Sequence, residues 1–210
     1  MKVGVIDYGV GNLASVIRSL EQLGAVPLLI ERAVDVDSSD AIILPGVGSF
    51  SKCIELLRSG GWVEALEQAV LGYGRPLLGI CLGMQLLAES SAEGATIEED
   101  TVGLGFIPGR VRHLRALGCN LRIPHVGWNS VSRTKVANNT LFDQIPDDTD
   151  FYFVHSYAFV ARNESDVLAE VDYGVPIAAA VRSGRIWGTQ FHPEKSSRAG
   201  LRVLKNFIES

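Results

Sequence analysis

The sequence predicts an α/β fold with a mixed, mostly parallel central sheet flanked by helices, formed by one domain over residues 1–210. Three observations lead there. In the first part of the chain, short runs rich in Val and Ile alternate with segments of helical periodicity, and that alternation implies parallel βαβ units with covered faces. After Gly94 the pattern becomes short β-like runs separated by Gly, Pro, Asn and Asp, which makes the sheet mixed. No Ser/Gly/Pro-rich linker, repeat or low-complexity segment divides the two parts.

Residues 2–7 read as a buried strand, stopped by Asp7 and glycines. Leu13, Val16, Ile17, Leu20 and Leu23 then recur at helical spacing, and Gly24 stands where a helix-closing glycine belongs. Strands are expected over 26–30 and 41–44, the second leading into the loop Pro45-Gly46-Val47-Gly48. Helical pattern returns over 50–58 and 62–71, closed by Gly72. A short strand over 76–80 runs abruptly into a helix over 82–89. Strands are expected further on at 109–113, 122–125, 151–154, 167–171, 177–182 and 186–190. A last amphipathic helix carries Leu201, Leu204, Phe207 and Ile208.

Composition narrows the functional class. With 47% hydrophobic and 20% charged residues, the chain is globular and long enough to bury a core. Nineteen basic against twenty-four acidic residues leave a formal charge of −5, which argues against nucleic acid or an anionic membrane held by bulk electrostatics. Cys53, Cys81 and Cys119 are odd in number and scattered, with no CxxC metal spacing, so a reducing compartment is expected. The opening apolar run meets Asp7 too soon for a signal peptide, and no run approaches the ~18 residues of a membrane span. A cytoplasmic protein is expected.

Gly79-Ile80-Cys81-Leu82-Gly83 has the grammar of a nucleophile elbow, with Cys where Ser is more familiar. Glycines at 79 and 83 allow the sharp turn and the close approach of strand and helix. Cys81 would meet the positive end of the helix dipole, and the Leu82 N–H would point to where an oxyanion forms. The alternative is a buried cysteine acting as a small hydrophobe, which is how Cys53 and Cys119 read. Of the four histidines, His192 alone sits in a frame that supplies an orienting carboxylate, Gln190-Phe191-His192-Pro193-Glu194. Pro193 biases His192 to extended backbone, and residues two apart then share a side, so Glu194 can reach the imidazole. The strand over 186–190 would deliver this group to a sheet edge.

Gly79 to Gln85 together with Phe191-His192-Pro193-Glu194 resembles the class I (triad) glutamine amidotransferases. Ile6-Asp7-Tyr8-Gly9-Val10-Gly11-Asn12, Pro45-Gly46-Val47-Gly48-Ser49-Phe50, Pro124-His125-Val126-Gly127-Trp128-Asn129 and His155-Ser156-Tyr157 are similar to blocks of one branch of that family. The blocks keep family order from residue 6 to 194, nearly the whole chain. The resemblance implies a flavodoxin-like amidotransferase fold, L-glutamine as substrate, and no cofactor or metal. It also implies a heterodimer in which ammonia passes to a cyclase subunit, a (β/α)8 barrel of histidine biosynthesis. Cys81 would be the nucleophile, His192 its base and acid, and Glu194 the orienter. Val47, Gly48 and Leu82 would form the oxyanion hole, with a peptide flip in the Pro45–Gly48 loop completing it. Gly48, Gln85, Glu93, Ser156 and Tyr157 would contact glutamine, although the stretch around Glu93 also reads as a solvated loop. Asn12, Trp128 and Lys195 would face the partner. Without a partner, Trp128 and Tyr8 read as core or lid aromatics and Lys195 as a solvated charge.

Other readings compete. Some relatives of that branch serve a synthetase that amidates nucleotide sugars of surface polysaccharide, and their catalytic motifs are the same. Gly9-Val10-Gly11-Asn12-Leu13-Ala14 with Glu31 fits a dinucleotide-binding fingerprint, but Asp7 would put negative charge near a pyrophosphate. A regulatory domain without catalysis is opposed by the complete Cys81, His192 and Glu194 set.

Overall fold

The computed structural model describes residues 1–94, 99–135 and 140–210. Its first part runs β1 (Lys2–Ile6), α1 (Leu13–Gln22), β2 (Val26–Ile30), β3 (Ala41–Gly46), α2 (Phe50–Ser59), α3 (Trp62–Leu66), β4 (Leu77–Cys81) and α4 (Leu82–Leu86). There follow β5 (Ser90–Ser91), β6 (Thr101–Val102), β7 (Gly109–His113), β8 (His125–Arg133), β9 (Thr149–His155) and β10 (Tyr157–Ala161). The chain closes with β11 (Val167–Asp172), β12 (Pro176–Ser183), β13 (Ile186–Thr189) and α5 (Ser197–Ile208).

Nine strands form the main sheet in the order β2-β1-β3-β4-β13-β12-β11-β8-β9. β2, β1, β3, β4 and β13 pair in parallel, and β12, β11, β8 and β9 continue antiparallel. The mixed α/β sheet with flanking helices expected from the sequence is therefore present, but it is half parallel and not mostly so, since the four parallel pairings from β2 to β13 are matched by four antiparallel ones from β13 to β9. Alternation along each buried strand divides the core in two. Val3 and Val5, Ala41 and Ile43, and Leu78 and Ile80 pack with α1 (Val16, Leu20) and α5 (Val203, Leu204, Phe207). Ile6, Ile42, Leu44 and Leu77 point the other way, against α2 (Phe50, Ile54, Leu57), α3 (Trp62, Leu66) and α4. Helices on both faces explain why the parallel strands are apolar runs rather than alternating ones.

Several elements differ from expectation. The expected single sheet is two, because β10, β7, β5 and β6 form a separate four-stranded sheet. Pro45 and Gly46 belong to β3 and not to the loop, paired with Ile80 and Cys81 of β4. The helix expected over 62–71 changes to a π-helical turn at Glu67–Gly72, where Tyr73 N–H reaches the Gln68 carbonyl at 2.9 Å. The helix expected over 82–89 stops at Leu86, since the Leu86, Leu87 and Ala88 carbonyls accept the amides of Leu104, Ile107 and Gly105. The strand expected over 122–125 begins only at His125 and continues to Arg133; Pro124 has no N–H to offer a ladder. Residues 126–133 escaped notice because Val126 and Trp128 put their apolar side chains into solvent.

Candidate active site

Strand register builds the site. Cys81 ends β4 and sits opposite Gly46, the last residue of β3, while Ile80 sits opposite Thr189, the last residue of β13. The nucleophile candidate thus has the Pro45–Gly48 segment on one side and the Gln190–Glu194 segment on the other, at the carboxyl ends of parallel strands. Cys81 takes φ +55° and ψ −109°, a conformation a non-glycine residue adopts only when its surroundings impose it. Those surroundings are main chain. A methyl group on Gly79 would strike the Gly83 backbone, and one on Gly83 would overlap the Leu44 carbonyl oxygen.

His192 and Glu194 are buried, their side chains 3% and 1% exposed, and Nδ1 lies 2.8 Å from Glu194 Oε1. With Nδ1–H donating to the carboxylate, Nε2 is left for Cys81, which with Glu194 favours the protonated ring. Burial alone would lower the imidazole pKa, but the bonds and charges of Cys81 and Glu194 outweigh it and raise the value to about 9. The backbone explanation differs from the expected one. Residues Pro193–Lys195 form a 3-10 turn, so Glu194 returns to His192 through a tight turn and not along an extended strand. β13 lies between β4 and β12, and His192 emerges just past its end, at the carboxyl edge of the sheet as expected. Ser196 Oγ–H donates to the His192 carbonyl at 2.6 Å and accepts the Tyr152 N–H at 3.0 Å, tying this turn to β9.

A cavity of about 440 Å³ opens beside Cys81, lined by Val47, Gly48, Leu82, Gln85, Glu93, Ser156, Tyr157, His192 and Lys195 among others. Every position named from the sequence for the oxyanion hole or glutamine is on its wall. Glu93 stands half-buried in a turn: its Oε2 accepts the Phe50 N–H at 2.9 Å, and burial raises its pKa. Gln85 gives both protons of its Nε2 to the protein, to the Tyr157 carbonyl and to Gln190 Oε1, each at 2.9 Å. Gly48 has φ +94° with open space where a side chain would stand, which suits a loop whose peptides can turn.

Four features were not read from the sequence. Cys53 of α2 donates its S–H to the Val47 carbonyl at 3.4 Å, so this thiol restrains the loop beside Cys81. The Tyr8 hydroxyl is buried against Cys53, and burial raises its pKa far above the usual range. In the cavity wall, His155 Nδ1 lies 2.8 Å from the Tyr157 carbonyl and its Nε2 3.0 Å from His125 Nδ1 behind it, while Asn129 Nδ2 approaches His125 Nε2 at 3.4 Å. A carbonyl can only accept, so His155 carries its proton on Nδ1 and His125 donates to His155 Nε2. Both rings are held neutral: burial lowers His125 to about 4, and burial with the neighbouring imidazoles lowers His155 to about 3. Gln190, the fourth, stands two residues before His192, and the period of an extended chain would have flagged it.

The residues expected at a partner surface separate. Asn12 is partly buried and its Nδ2 reaches Glu194 Oε1 at 3.4 Å. Trp128 is 53% exposed, edge-on to Tyr152, and Lys195 Nζ stands 5.8 Å over that same ring. Tyr8, its companion in the lid-or-core expectation, is core. In the Gly9–Gly11 turn, Asp7 Oδ1 accepts the Gly9 N–H at 2.9 Å, so a carboxylate already occupies an amide that a pyrophosphate would need.

A thiol, an imidazole and a carboxylate stand in sequence at the carboxyl rim of this sheet, an arrangement suited to nucleophilic acyl transfer, and comparison with known proteins gives the class. Residues 4–210 match the family model described as glutamine amidotransferase class-I, and the chain belongs to that family. It is similar to the imidazole glycerol phosphate synthase subunit HisH of Moorella thermoacetica, 44% identical over 99% of this chain and 94% of the relative. It is likewise similar to subunit HisH 1 of Campylobacter jejuni strain 81-176, 42% identical over 98% of both chains. Among solved structures, a crystal structure of glutamine amidotransferase superposes with a TM-score of 0.73 at 20% identity, covering 99% of this chain and 97% of that one. PurLQS from Thermotoga maritima gives 0.70 at 18% identity, with the same coverage.

Proposed function

We propose that this chain is the glutamine-hydrolysing subunit of an imidazole glycerol phosphate synthase, a single amidotransferase domain that makes ammonia for a cyclase partner in histidine biosynthesis. The observation that carries the chemistry is the buried Cys81–His192–Glu194 sequence at the base of the cavity. His192 takes the thiol proton as Cys81 sulfur bonds to the carboxamide carbon. The developing oxyanion meets the Leu82 N–H and, after a turn of the Pro45–Gly48 loop, an N–H of Val47 or Gly48. The carbon–nitrogen bond breaks as His192 protonates the departing nitrogen, releasing ammonia and leaving a thioester. Water, activated by His192, then releases glutamate and restores the thiol. Glu93 is suited to glutamine's ammonium, and Ser156, Tyr157, Gln85 and Gly48 to its polar ends.

Support for the particular partner comes from relatives 42–45% identical over nearly the whole chain, all bearing that synthase's name. A surface consistent with docking adjoins the cavity mouth. Val126 and Val154 face each other across β8 and β9, as do Trp128 and Tyr152; Val126, Val154 and Trp128 are exposed, and Lys195 stands over Tyr152. A partner covering this face and bearing on the loop would favour the conformation that completes the oxyanion hole. The test is glutamate release by the purified chain, alone and with the cyclase of its own genome. Strong activation by the cyclase is expected; activation by a nucleotide-sugar amidating synthetase instead would assign the chain to that alternative.

A further inference from the structure

We propose that Gln190 is a further catalytic residue: its side-chain N–H hydrogen-bonds to Cys81 Sγ and supports the sulfur when it carries charge, with Gln85 as the residue that positions this amide. The inference rests on the reading of Cys81 as nucleophile.

Gln190 is fully buried directly beyond β13, with its backbone N–H on the Ala179 carbonyl at 2.8 Å. A buried amide is costly unless its polar atoms have partners, and a hydrophobe would fill the same space. Its orientation follows from Gln85. The Tyr157 carbonyl can only accept, so Gln85 must present its NH2 there, and the second proton of that NH2 goes to Gln190 Oε1. The oxygen of Gln190 is thereby assigned, and its Nε2 is left pointing at Cys81 Sγ, 3.8 Å away. Neither amide can flip without setting donor against donor or acceptor against acceptor.

The sulfur has a second neighbour of opposite preference. Cys81 Sγ lies 3.8 Å from the Val154 carbonyl, which accepts an S–H and gains nothing from a thiolate. When His192 removes the thiol proton, that bond is lost, and an N–H donor on the sulfur becomes stronger because its acceptor is now ionised. The same donor serves the second half of the reaction. There the carbon–sulfur bond breaks, the electron pair returns to sulfur, and the proton comes back from His192.

The test is alkylation of Cys81 by iodoacetamide at neutral pH, read by peptide mass and compared between the full chain and Gln190→Met, which keeps length and loses the donor. Iodoacetamide needs no glutamine pocket, so substrate binding does not enter. Alkylation is expected to slow on the order of tenfold, as for a lost hydrogen bond to a charged group, with a similar loss in kcat and little change in KM. Unchanged alkylation of Cys81 overturns the proposal. So does faster labelling of all three cysteines, the sign of a purely structural amide. Should Gln190→Met fail to fold, side-chain amide NMR replaces it: Cys81→Ala must move the Gln190 amide protons more than those of Gln85, and no such movement overturns the proposal. Cys81→Ala also separates the two readings. Glutaminase surviving in it removes the nucleophile assignment, whereas loss of activity there with normal alkylation in Gln190→Met removes Gln190 alone.

Discussion

His192 connects two groups that do different work. Cys81→Ala is expected to abolish glutamate release. Glu194→Gln keeps the shape but loses the charge that favours the protonated ring, and a fall in kcat on the order of 10²-fold is expected. Because the groups act as a unit, adding Glu194→Gln to Cys81→Ala should lower the rate no further. Equal inactivity of the two single variants would contradict an orienting role. The pairing of His192 with Glu194 was legible in the sequence, yet for a different backbone reason than the 3-10 turn that produces it. The contribution of Cys53 was not legible, since a thiol bonded to a carbonyl six residues earlier carries no motif.

Among the elements, the passage from β4 to α4 is the most constrained. Gly83→Ala would drive a methyl group into the Leu44 carbonyl of β3, and a loss of about 1–3 kcal/mol in urea unfolding is expected. Gly48→Ala poses the opposite case: space is open, but φ is +94°. It should cost about 1–2 kcal/mol in stability, while partner-stimulated glutamate release changes severalfold, because the loop is driven to other conformations. Wild-type turnover in the partner complex would show that this backbone conformation is immaterial. The elbow was readable because strand, turn and helix are contiguous and each glycine has a local purpose. The early end of α4 was not, since it depends on amides of residues 104, 105 and 107 taking the helix carbonyls. The second sheet was missed for the same cause, as β7 pairs with β10 across a long stretch of sequence.

For the molecule as a whole, the buried histidines make stability depend on pH from two sides. His125 and His155, at about 4 and about 3, bind protons less readily folded than unfolded, where a histidine titrates near 6.5. Their contribution is complete above that value and is lost as pH falls toward 4. His192, at about 9, has the opposite sign: its contribution is complete below 6.5 and is lost as pH rises through 9. Urea midpoints should therefore drop from pH 7 to pH 5, and His125→Gln should flatten that slope; equal midpoints would exclude the neutral pair. On the outer face, Trp128→Asp should weaken the cyclase complex at least tenfold and leave the melting temperature of the isolated chain unchanged. The sequence could name Trp128 but not its exposure, because an aromatic in a β run reads equally well as core.

The contact of Gly83 with the Leu44 carbonyl has a consequence for how such a protein can drift. The place of the sulfur is set where main chain meets main chain, without a side chain between them. Large hydrophobes around the site can therefore be exchanged over generations, or shuffled in a library, without moving the sulfur relative to β3. Among such shuffled proteins, those that fold should retain their chemistry, so loss of activity would follow loss of folding and not precede it.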